Sequence, residues 1–213
     1  MQPDDPKDVL NIIDTEIVYC GSNTKILTYT NNAADSYIKH IRARMGKPPY
    51  PVIDDVVVSN TFTKSPFNDR TSIMNEFEYI VTAVSDPYVD TILGIPVRTV
   101  QLLDAMGSYR VIEPVNRNEA VKLLTAEKRK AKKSNDWFDY YTKSEIIADL
   151  RQGFASTIHK AQGSTYDRVV IDLYDINENC FDKETLARLL YVAISRAKTQ
   201  VIFHGKLSER FYV

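Results

Sequence analysis

Glycine is scarce in this sequence. Its 213 residues include seven glycines, about half the number that an average usage of about 7% would give. The two nearest to each other, Gly153 and Gly163, lie ten positions apart. A P-loop requires two glycines five positions apart before Lys-Ser or Lys-Thr, and a dinucleotide-binding fingerprint requires three glycines within six residues. The sequence therefore contains neither phosphate-binding loop, and in any nucleotide-driven machine it would supply a different part.

Cysteine, histidine and long apolar runs are also scarce. The two cysteines and three histidines are too widely separated for a recognised zinc pattern, so we expect no metal bound by this chain alone. The sequence has no signal peptide and no apolar run approaching the roughly 18 residues of a membrane span. We therefore expect a cytoplasmic protein with no membrane partner. The net charge of −1 predicts that any nucleic-acid site is a local patch.

Strand and helix patterns alternate near both ends of the chain. Residues 25–30 have the composition of a short buried strand. Asn31 and Asn32 are typical helix N-caps, and helical spacing continues to a natural stop at Gly46. The other predicted elements of this kind are a weakly amphipathic helix over 7–19, strands over 154–157, 168–173 and 200–204, and a helix over 183–197. The alternation predicts an α/β fold with a parallel sheet.

The middle of the chain has a different pattern. After the prolines at 48, 49 and 51, short strand patterns cover 52–58, 77–84, 88–93, 97–103 and 109–112. Short strands at such spacing are typical of a small barrel, so we interpret residues 53–113 as an all-β insert. Residues 114–147 are interpreted as a helical and aromatic connector, with helices predicted over 116–133 and 144–151. The remaining segments, 1–52 and 148–213, would form the α/β domain.

Residues 156–167 concentrate hydroxyl, imidazole, ammonium and amide side chains in the connection that follows a predicted strand. In an open α/β sheet, ligands bind at the carboxyl ends of strands, where free backbone N–H groups are available to anions. Gly163 permits close approach of the backbone to such a ligand. From composition alone, a binding loop and a merely polar, solvated loop are equally open.

Arg196 follows an apolar helical stripe and precedes a strand pattern. A guanidinium held in this way reaches the phosphate of a neighbouring domain or subunit with two parallel hydrogen bonds. The alternative is a cation that complements the C-terminal dipole of its own helix. Taken by themselves, the residues around Arg196 favour the second explanation.

Together, the two segments resemble a known pair of motifs. Thr157-Ile-His-Lys-Ala-Gln-Gly-Ser-Thr-Tyr-Asp167 and Leu190-Tyr-Val-Ala-Ile-Ser-Arg-Ala-Lys198 resemble motifs V and VI of superfamily-one helicases, in the same order. The His-Lys-Ala-Gln-Gly form is similar to that of RecD-like and Dda-type phage helicases, which move 5′ to 3′. Residues 26–42 are similar to the strand and helix that open the second RecA-like domain of these enzymes. Residues 53–113 resemble their small Src-homology-type barrel.

The resemblance implies the C-terminal, second RecA-like domain of a DNA helicase. Its fold would be a P-loop-NTPase-type parallel sheet without the P-loop, interrupted by the barrel. The implied DNA-backbone contacts are Thr157, His159 and Lys160. The implied contacts to the nucleotide are Gln162, Gly163 and, as a weaker candidate, Arg42. The catalytic residue would be Arg196, an arginine finger, with Tyr191 and Ser195 packing around it and positioning it.

The resemblance further implies ATP with Mg²⁺ at an interface with a P-loop domain that this sequence lacks, supplied in cis or in trans. Single-stranded DNA and a replication protein are the other implied partners, in the host cytoplasm if the chain is phage-encoded. Because Walker A and Walker B are missing, we expect this chain alone to show only background ATP hydrolysis. The alternative is a non-enzymatic helicase remnant that binds single-stranded DNA or a replication partner through the β-barrel insert.

A basic run at 128–133 and an aromatic cluster at 137–141 each have two explanations. They would either brace the barrel and contact DNA, or form a charged helix in solvent that ends in packed aromatic rings. For the charges we favour the solvated helix. For the aromatic rings we favour packing between domains.

Overall fold

The computed structural model describes residues 24–68 and 70–211, so the helix predicted over 7–19 lies outside the described residues. The strands are, in chain order, β1 (Thr24–Thr28), β2 (Val56–Ser59), β3 (Thr63–Lys64), β4 (Ser72–Ile73), β5 (Glu78–Val84), β6 (Tyr88–Val89), β7 (Pro96–Leu103), β8 (Ser108–Pro114), β9 (Leu150–Gln152), β10 (Ala155–Thr157), β11 (Tyr166–Asp172) and β12 (Ala197–His204). The helices are α1 (Asn31–Arg44), α2 (Arg117–Ser134), α3 (Phe138–Ile146), α4 (Leu173–Asn179) and α5 (Lys183–Ile194), with a 3-10 turn at Glu209–Phe211.

The described chain divides into two compact units. One comprises the residues up to Pro49 and those from Gly153 onward, and the other comprises Tyr50–Gln152. The assignment of 53–113 and 114–147 as separate parts within the second unit stays a prediction.

The first unit is built on a four-stranded parallel sheet in the order β10-β1-β11-β12. Every residue of β1 is buried. Neighbouring side chains of β1 enter opposite layers: Ile26 packs in a cluster with Ile41 of α1, and Leu27 packs in a cluster with Leu189 of α5. A parallel strand covered on both faces requires apolar side chains in both directions. The predicted α/β fold with a parallel sheet is confirmed.

The first helix, α1, begins one residue earlier than its predicted cap. The Thr30 side chain accepts a hydrogen bond from the Ala33 N–H at 3.2 Å, so Thr30 is the N-cap, and the prediction of Asn31 or Asn32 in that role was wrong. The predicted stop is confirmed, because the helix ends at Arg44 and Gly46 follows with a φ of 66°. This left-handed conformation favours glycine.

The second unit is an antiparallel sheet in the order β6-β7-β5-β2-β9, with β8 paired along β7. Just before β9, the Ala148 N–H donates to the Ile112 carbonyl of β8 at 2.9 Å, and Ile147 forms a bridge to Ile112. The path that runs from β8 through β7, β5 and β2 to β9 therefore closes on β8. A closed path of this kind fits the predicted small barrel.

The helix predicted over 144–151 was wrong. The helix α3 ends at Ile146, and residues 150–152 form strand β9 instead. Ala148 and Leu150 are buried in the cluster formed by the strands of the second unit, whereas Ile147 is buried in a second cluster with Ile112 and Ala120. A second difference concerns the strand predicted over 88–93, which is reduced to β6 because Asp90 accepts hydrogen bonds from the backbone of Ile92 and Leu93 and turns the chain.

Glu113 is a buried carboxyl group of the second unit whose surroundings include Arg117 and Asp149. Glu113 is 5% exposed, and its Oε1 lies 3.5 Å from the Arg117 guanidinium. Burial raises the pKa of Glu113 to about 7, and the charge of Asp149 adds to the rise while Arg117 opposes it. The group therefore binds its proton more tightly in the folded chain than in the unfolded chain.

This raised pKa predicts a pH-dependent stability. The contribution of Glu113 is fully present below its ordinary pKa of 4.5 and is lost as the pH rises through about 7. The loss is on the order of 3 kcal/mol for a shift of this size. Replacing Glu113 with Gln should abolish this decrease in the free energy of unfolding with rising pH. Urea unfolding followed by the fluorescence of Trp137, which lies in the same unit, measures it. Glu78→Gln, at an exposed position, should leave the pH profile of the wild type unchanged. A Glu113→Gln profile parallel to that of the wild type would contradict the prediction.

Candidate functional site

The segment between β10 and β11 is a compact turn. The Ala161 N–H donates to the Thr157 carbonyl at 3.1 Å, and the Ser164 N–H donates to the Ala161 carbonyl at 3.1 Å. Ile158 and Ala161 are buried in the core of the first unit. Because these two side chains anchor the turn, the side chains between and after them face outward. Gly163 has a φ of 94°, which a residue with a Cβ adopts only under strain.

The three residues predicted to contact DNA differ in exposure. Thr157 is 5% exposed, and its hydroxyl accepts a hydrogen bond from the Lys160 N–H at 3.4 Å, so it supports the shape of the turn. Lys160 is half-buried and His159 is exposed. The His159 ring lies 6.2 Å from the ring of Tyr29, measured between centroids. The turn thus presents an imidazole and an ammonium group at the carboxyl end of β10.

A buried carboxylate that the sequence analysis did not single out holds the neighbouring loop. Asp175, in α4, accepts hydrogen bonds from the backbone N–H groups of Tyr29 and Thr30, each at 2.7 Å. Its other oxygen accepts from the Thr30 hydroxyl at 2.8 Å. Asp175 therefore fixes the end of β1 and with it the Tyr29 ring beside His159.

Asp172 organises the helix that carries Asp175. The predicted strand ends at Asp172 and not at residue 173, because its side chain caps α4 by accepting from the Tyr174 and Asp175 N–H groups. Its other oxygen accepts from the Tyr37 hydroxyl at 2.9 Å. Burial and this carboxylate raise the pKa of Tyr37 well above its usual range. An Asp directly after an apolar strand is a typical N-cap, so this signal was present in the sequence.

Arg196 lies directly after α5 and its C-cap, Ser195. Its guanidinium donates from Nη1 to the Ser164 carbonyl at 3.2 Å and from Nη2 to the Ser195 hydroxyl at 2.9 Å, and Nε donates to the Val192 carbonyl at 3.1 Å. The Tyr166 N–H in turn donates to the Arg196 carbonyl at 2.8 Å. The two predicted motifs are therefore joined by direct hydrogen bonds, and the guanidinium is only partly buried.

The structure places the remaining predicted residues in three kinds of environment. Gln162 and Gly163 are exposed, next in the chain to the Ser164 carbonyl that Arg196 contacts. Arg42 is 2% exposed and donates from Nε to the Pro48 carbonyl at 2.6 Å, so it is not a solvated arginine at a helix end. Tyr191 is 76% exposed, so the expectation that it packs around Arg196 was wrong for the described chain, whereas Ser195 contacts the guanidinium as expected.

A small pocket opens beside the turn. Its volume is about 250 Å³, and it is lined by His159 and Gln162 from the turn and by Thr185, Arg188, Leu189 and Val192 from α5.

Among the described residues, no group of three or more His, Cys, Asp or Glu side chains is placed to hold a metal ion. In the same part of the chain, no helix is both long and apolar enough to cross a membrane.

Part of the chain matches a known protein family. Residues 152–203, which contain both motifs, match the family described as the UvrD-like helicase C-terminal domain. A stretch of 68 residues is 38% identical to an uncharacterized protein of Acanthamoeba polyphaga mimivirus, and it covers 32% of this chain and 14% of that protein. The family match confirms the predicted resemblance to the C-terminal domain of superfamily-one helicases.

The solved structures that the chain matches include two Pif1 helicases, both with TM-scores below 0.5. The Pif1 helicase from Bacteroides, solved in complex with ADP-AlF3 and ssDNA, has a TM-score of 0.49 and 16% identity, over 98% of this chain and 48% of that protein. The Pif1 helicase from Candida albicans has a TM-score of 0.42 and 14% identity, over 86% of this chain and 45% of that protein. The chain thus spans about half the length of these structures, and its matched stretch covers about a seventh of the mimivirus protein.

Proposed function

We propose that this chain is the C-terminal motor domain of an ATP-dependent DNA helicase that moves 5′ to 3′. It would supply Arg196 as the arginine finger to ATP and Mg²⁺ held by a separate P-loop domain, in cis or in trans. The observation that carries the proposal is the hydrogen bond from the Arg196 guanidinium to the Ser164 carbonyl. This contact brings the two helicase-type motifs to one place on the surface of the first unit.

The residues around Arg196 fit a phosphate ligand. The guanidinium offers several N–H donors, and it is partly exposed. Gln162 and Gly163 expose an amide side chain and a backbone without a Cβ next to Ser164. Donors of this kind suit phosphate oxygens, and a guanidinium stabilises the charge that develops during phosphoryl transfer. When bound, ATP would supply the phosphoryl group whose transfer to water Arg196 accelerates.

The turn would couple the nucleotide to DNA. Arg196 must leave the Ser164 carbonyl to reach a phosphate on another domain. The Ser164 N–H is bonded to Ala161, which is bonded to Thr157, so a displacement at Ser164 is passed to the part of the turn that carries His159 and Lys160. These two side chains would contact phosphates of single-stranded DNA, with Thr157 holding the turn in shape.

Substitution in the turn tests the DNA contacts. His159→Ala and Lys160→Ala should each weaken binding of a labelled oligothymidylate about three- to tenfold, the equivalent of one lost hydrogen bond of ordinary strength. For Lys160→Ala, the slope of log K against log salt should fall by about 0.7. Fluorescence anisotropy over a range of salt concentrations measures both quantities.

The control for these variants is Lys183→Ala, which removes an exposed cation of α5 and should bind as the wild type does. Unchanged binding by both turn variants would show that the turn does not contact DNA.

A second candidate function rests on the sheet of the second unit. Val56, Ile80 and Leu103 are directly paired across β2, β5 and β7, and they are 48%, 46% and 42% exposed. Such an apolar row on an outer face favours a remnant that binds a replication protein. This function would be supported if Ile80→Ser abolished partner or DNA binding while both turn variants bound normally.

A further inference from the structure

The helix α2 has two opposite faces of contrasting character. Ala120, Glu127 and Ala131 form its buried face. Lys122, Arg129 and Lys133 each lie two residues after one of these buried side chains. Two residues turn the helix by about 200°, so the three cations lie nearly opposite the buried face. We name the exposed cations Lys122, Arg129, Lys132 and Lys133 the basic ridge. A solvated charged helix was the favoured prediction for the basic run at 128–133, and the structure places the four cations of the basic ridge at exposed positions away from the buried face.

The charged side chains of α2 differ in whether they form ion pairs. On the inner side, Glu127 accepts from Lys143 at 2.9 Å and from Lys130 at 3.2 Å. These contacts lower the pKa of Glu127 and join α2 to α3. In the described part of the chain, no ion pair involves a member of the basic ridge.

The basic ridge is electrostatically unfavourable for the isolated helix. Arg129 and Lys133 are four residues apart, as are Lys128 and Lys132, and like charges at this spacing destabilise a helix. The C-terminal dipole accounts for cations in the last turn only, and Lys122 and Arg129 lie before it. A bound polyanion would offset this repulsion.

We propose that the basic ridge binds the phosphate backbone of nucleic acid. It would be a contact surface in the second unit, additional to the turn at 157–160 in the first. The choice of single-stranded DNA as the ligand rests on the proposed function.

The geometry of the basic ridge suits a linear polyanion. From Lys122 to Lys133 it extends for about 16 Å along the helix axis, which covers several phosphates of one strand. Phe138, at the start of α3, is 74% exposed at the same end of the α2–α3 hairpin as Lys133. An exposed ring there offers a stacking surface for a base, a common companion of phosphate contacts in single-strand binding.

A membrane surface is a poorer match for this helix. Surface-bound amphipathic helices insert a face of large apolar side chains beneath their cations. In α2 the corresponding residues, Ala120, Leu123 and Leu124, already pack in the core of the second unit. The helix therefore exposes its cations, while these apolar side chains are already packed against the second unit.

The decisive variant is Lys122→Glu with Arg129→Glu in the full chain. Binding of a labelled oligothymidylate, followed by fluorescence anisotropy, should weaken at least about tenfold. The slope of log K against log salt should fall by about 1.4, from about 0.7 for each lost phosphate contact. The carboxylate that Arg129→Glu introduces would lie four residues before Lys133, a favourable ion-pair spacing. The melting temperature should therefore not fall, and misfolding would not explain the loss.

The matched control is Arg70→Glu with Lys183→Glu, which changes the net charge by the same amount at two exposed positions that do not belong to the basic ridge. Control binding should stay within about twofold of the wild type. Equal losses in the two double variants, or wild-type affinity in the ridge variant, would overturn the proposal. It would also be overturned if the ridge variant lost binding to phosphatidylserine vesicles while binding DNA normally. Loss in the ridge variant with normal binding by the turn variants would support the basic ridge and refute the DNA role of the turn.

Discussion

Replacing Arg196 with Ala is expected to reduce ATP hydrolysis about 10³- to 10⁵-fold when this chain is combined with a P-loop helicase domain. The guanidinium is held from three sides by the Ser164 and Val192 carbonyls and the Ser195 hydroxyl. When the guanidinium leaves the Ser164 carbonyl for a phosphate, the contacts to Val192 and Ser195 would still restrict it, which lowers the entropy lost on binding. Arg196→Lys should recover little of the rate, because an ammonium group lacks the planar donor pair.

The measurement is a steady-state ATPase assay with single-stranded DNA present. The chain alone should show only background hydrolysis, and the combination with a P-loop domain provides the reference rate. Lys183→Ala is the matched control, because Lys183 is an exposed cation of the same helix and does not line the pocket beside the turn. Its rate should stay within about threefold of the reference. Robust turnover by the chain alone, or by the Arg196→Ala assembly, would refute the arginine-finger role.

The elements predicted best from the sequence are those whose burial is set by the local pattern. The strand β1 and the apolar side of α5 consist of residues that lie in the core whatever else surrounds them. The predicted helix over 144–151 failed for the opposite reason. Ile147 and Ala148 are buried by pairing with Ile112 of β8, a contact across 35 positions that helical spacing does not reveal. Tertiary pairing here overrode local pattern.

The candidate site was predicted in part. The turn at 158–165 and Arg196 are marked by residue types that carry chemistry, and the structure joins them. Asp175 lacked a comparable signal, because its partners at Tyr29 and Thr30 lie about 145 positions earlier. Only the parallel pairing of β1 with β11 brings the ends of these strands together. Long-range polar contacts of this kind depend on topology before they depend on residue type.

Asp175→Ala is expected to destabilise the first unit by about 3 to 5 kcal/mol. The substitution leaves the Tyr29 and Thr30 N–H groups without their acceptor, and each such loss costs about 1 to 3 kcal/mol. It also removes the acceptor of the Thr30 hydroxyl at the N-cap of α1. Asp175→Asn should cost less, because an amide oxygen still accepts from the two backbone donors. Part of the cost remains, since the new NH₂ group faces another donor, the Asn179 amide.

Hydrogen exchange at the amides of Tyr29 and Thr30 gives the sharpest measurement. In the wild type both amides should be protected, and in Asp175→Ala their protection should be lost even where the chain stays folded. Asp167→Ala is the control, because Asp167 is 53% exposed and lies 3.7 Å from Lys198, so its loss should cost less than about 1 kcal/mol. Since Tyr29 lies beside His159, binding of single-stranded DNA should weaken in Asp175→Ala and not in Asp167→Ala. Unchanged exchange at both amides would show that the carboxylate does not hold this loop, and normal DNA binding would separate the loop from the proposed site.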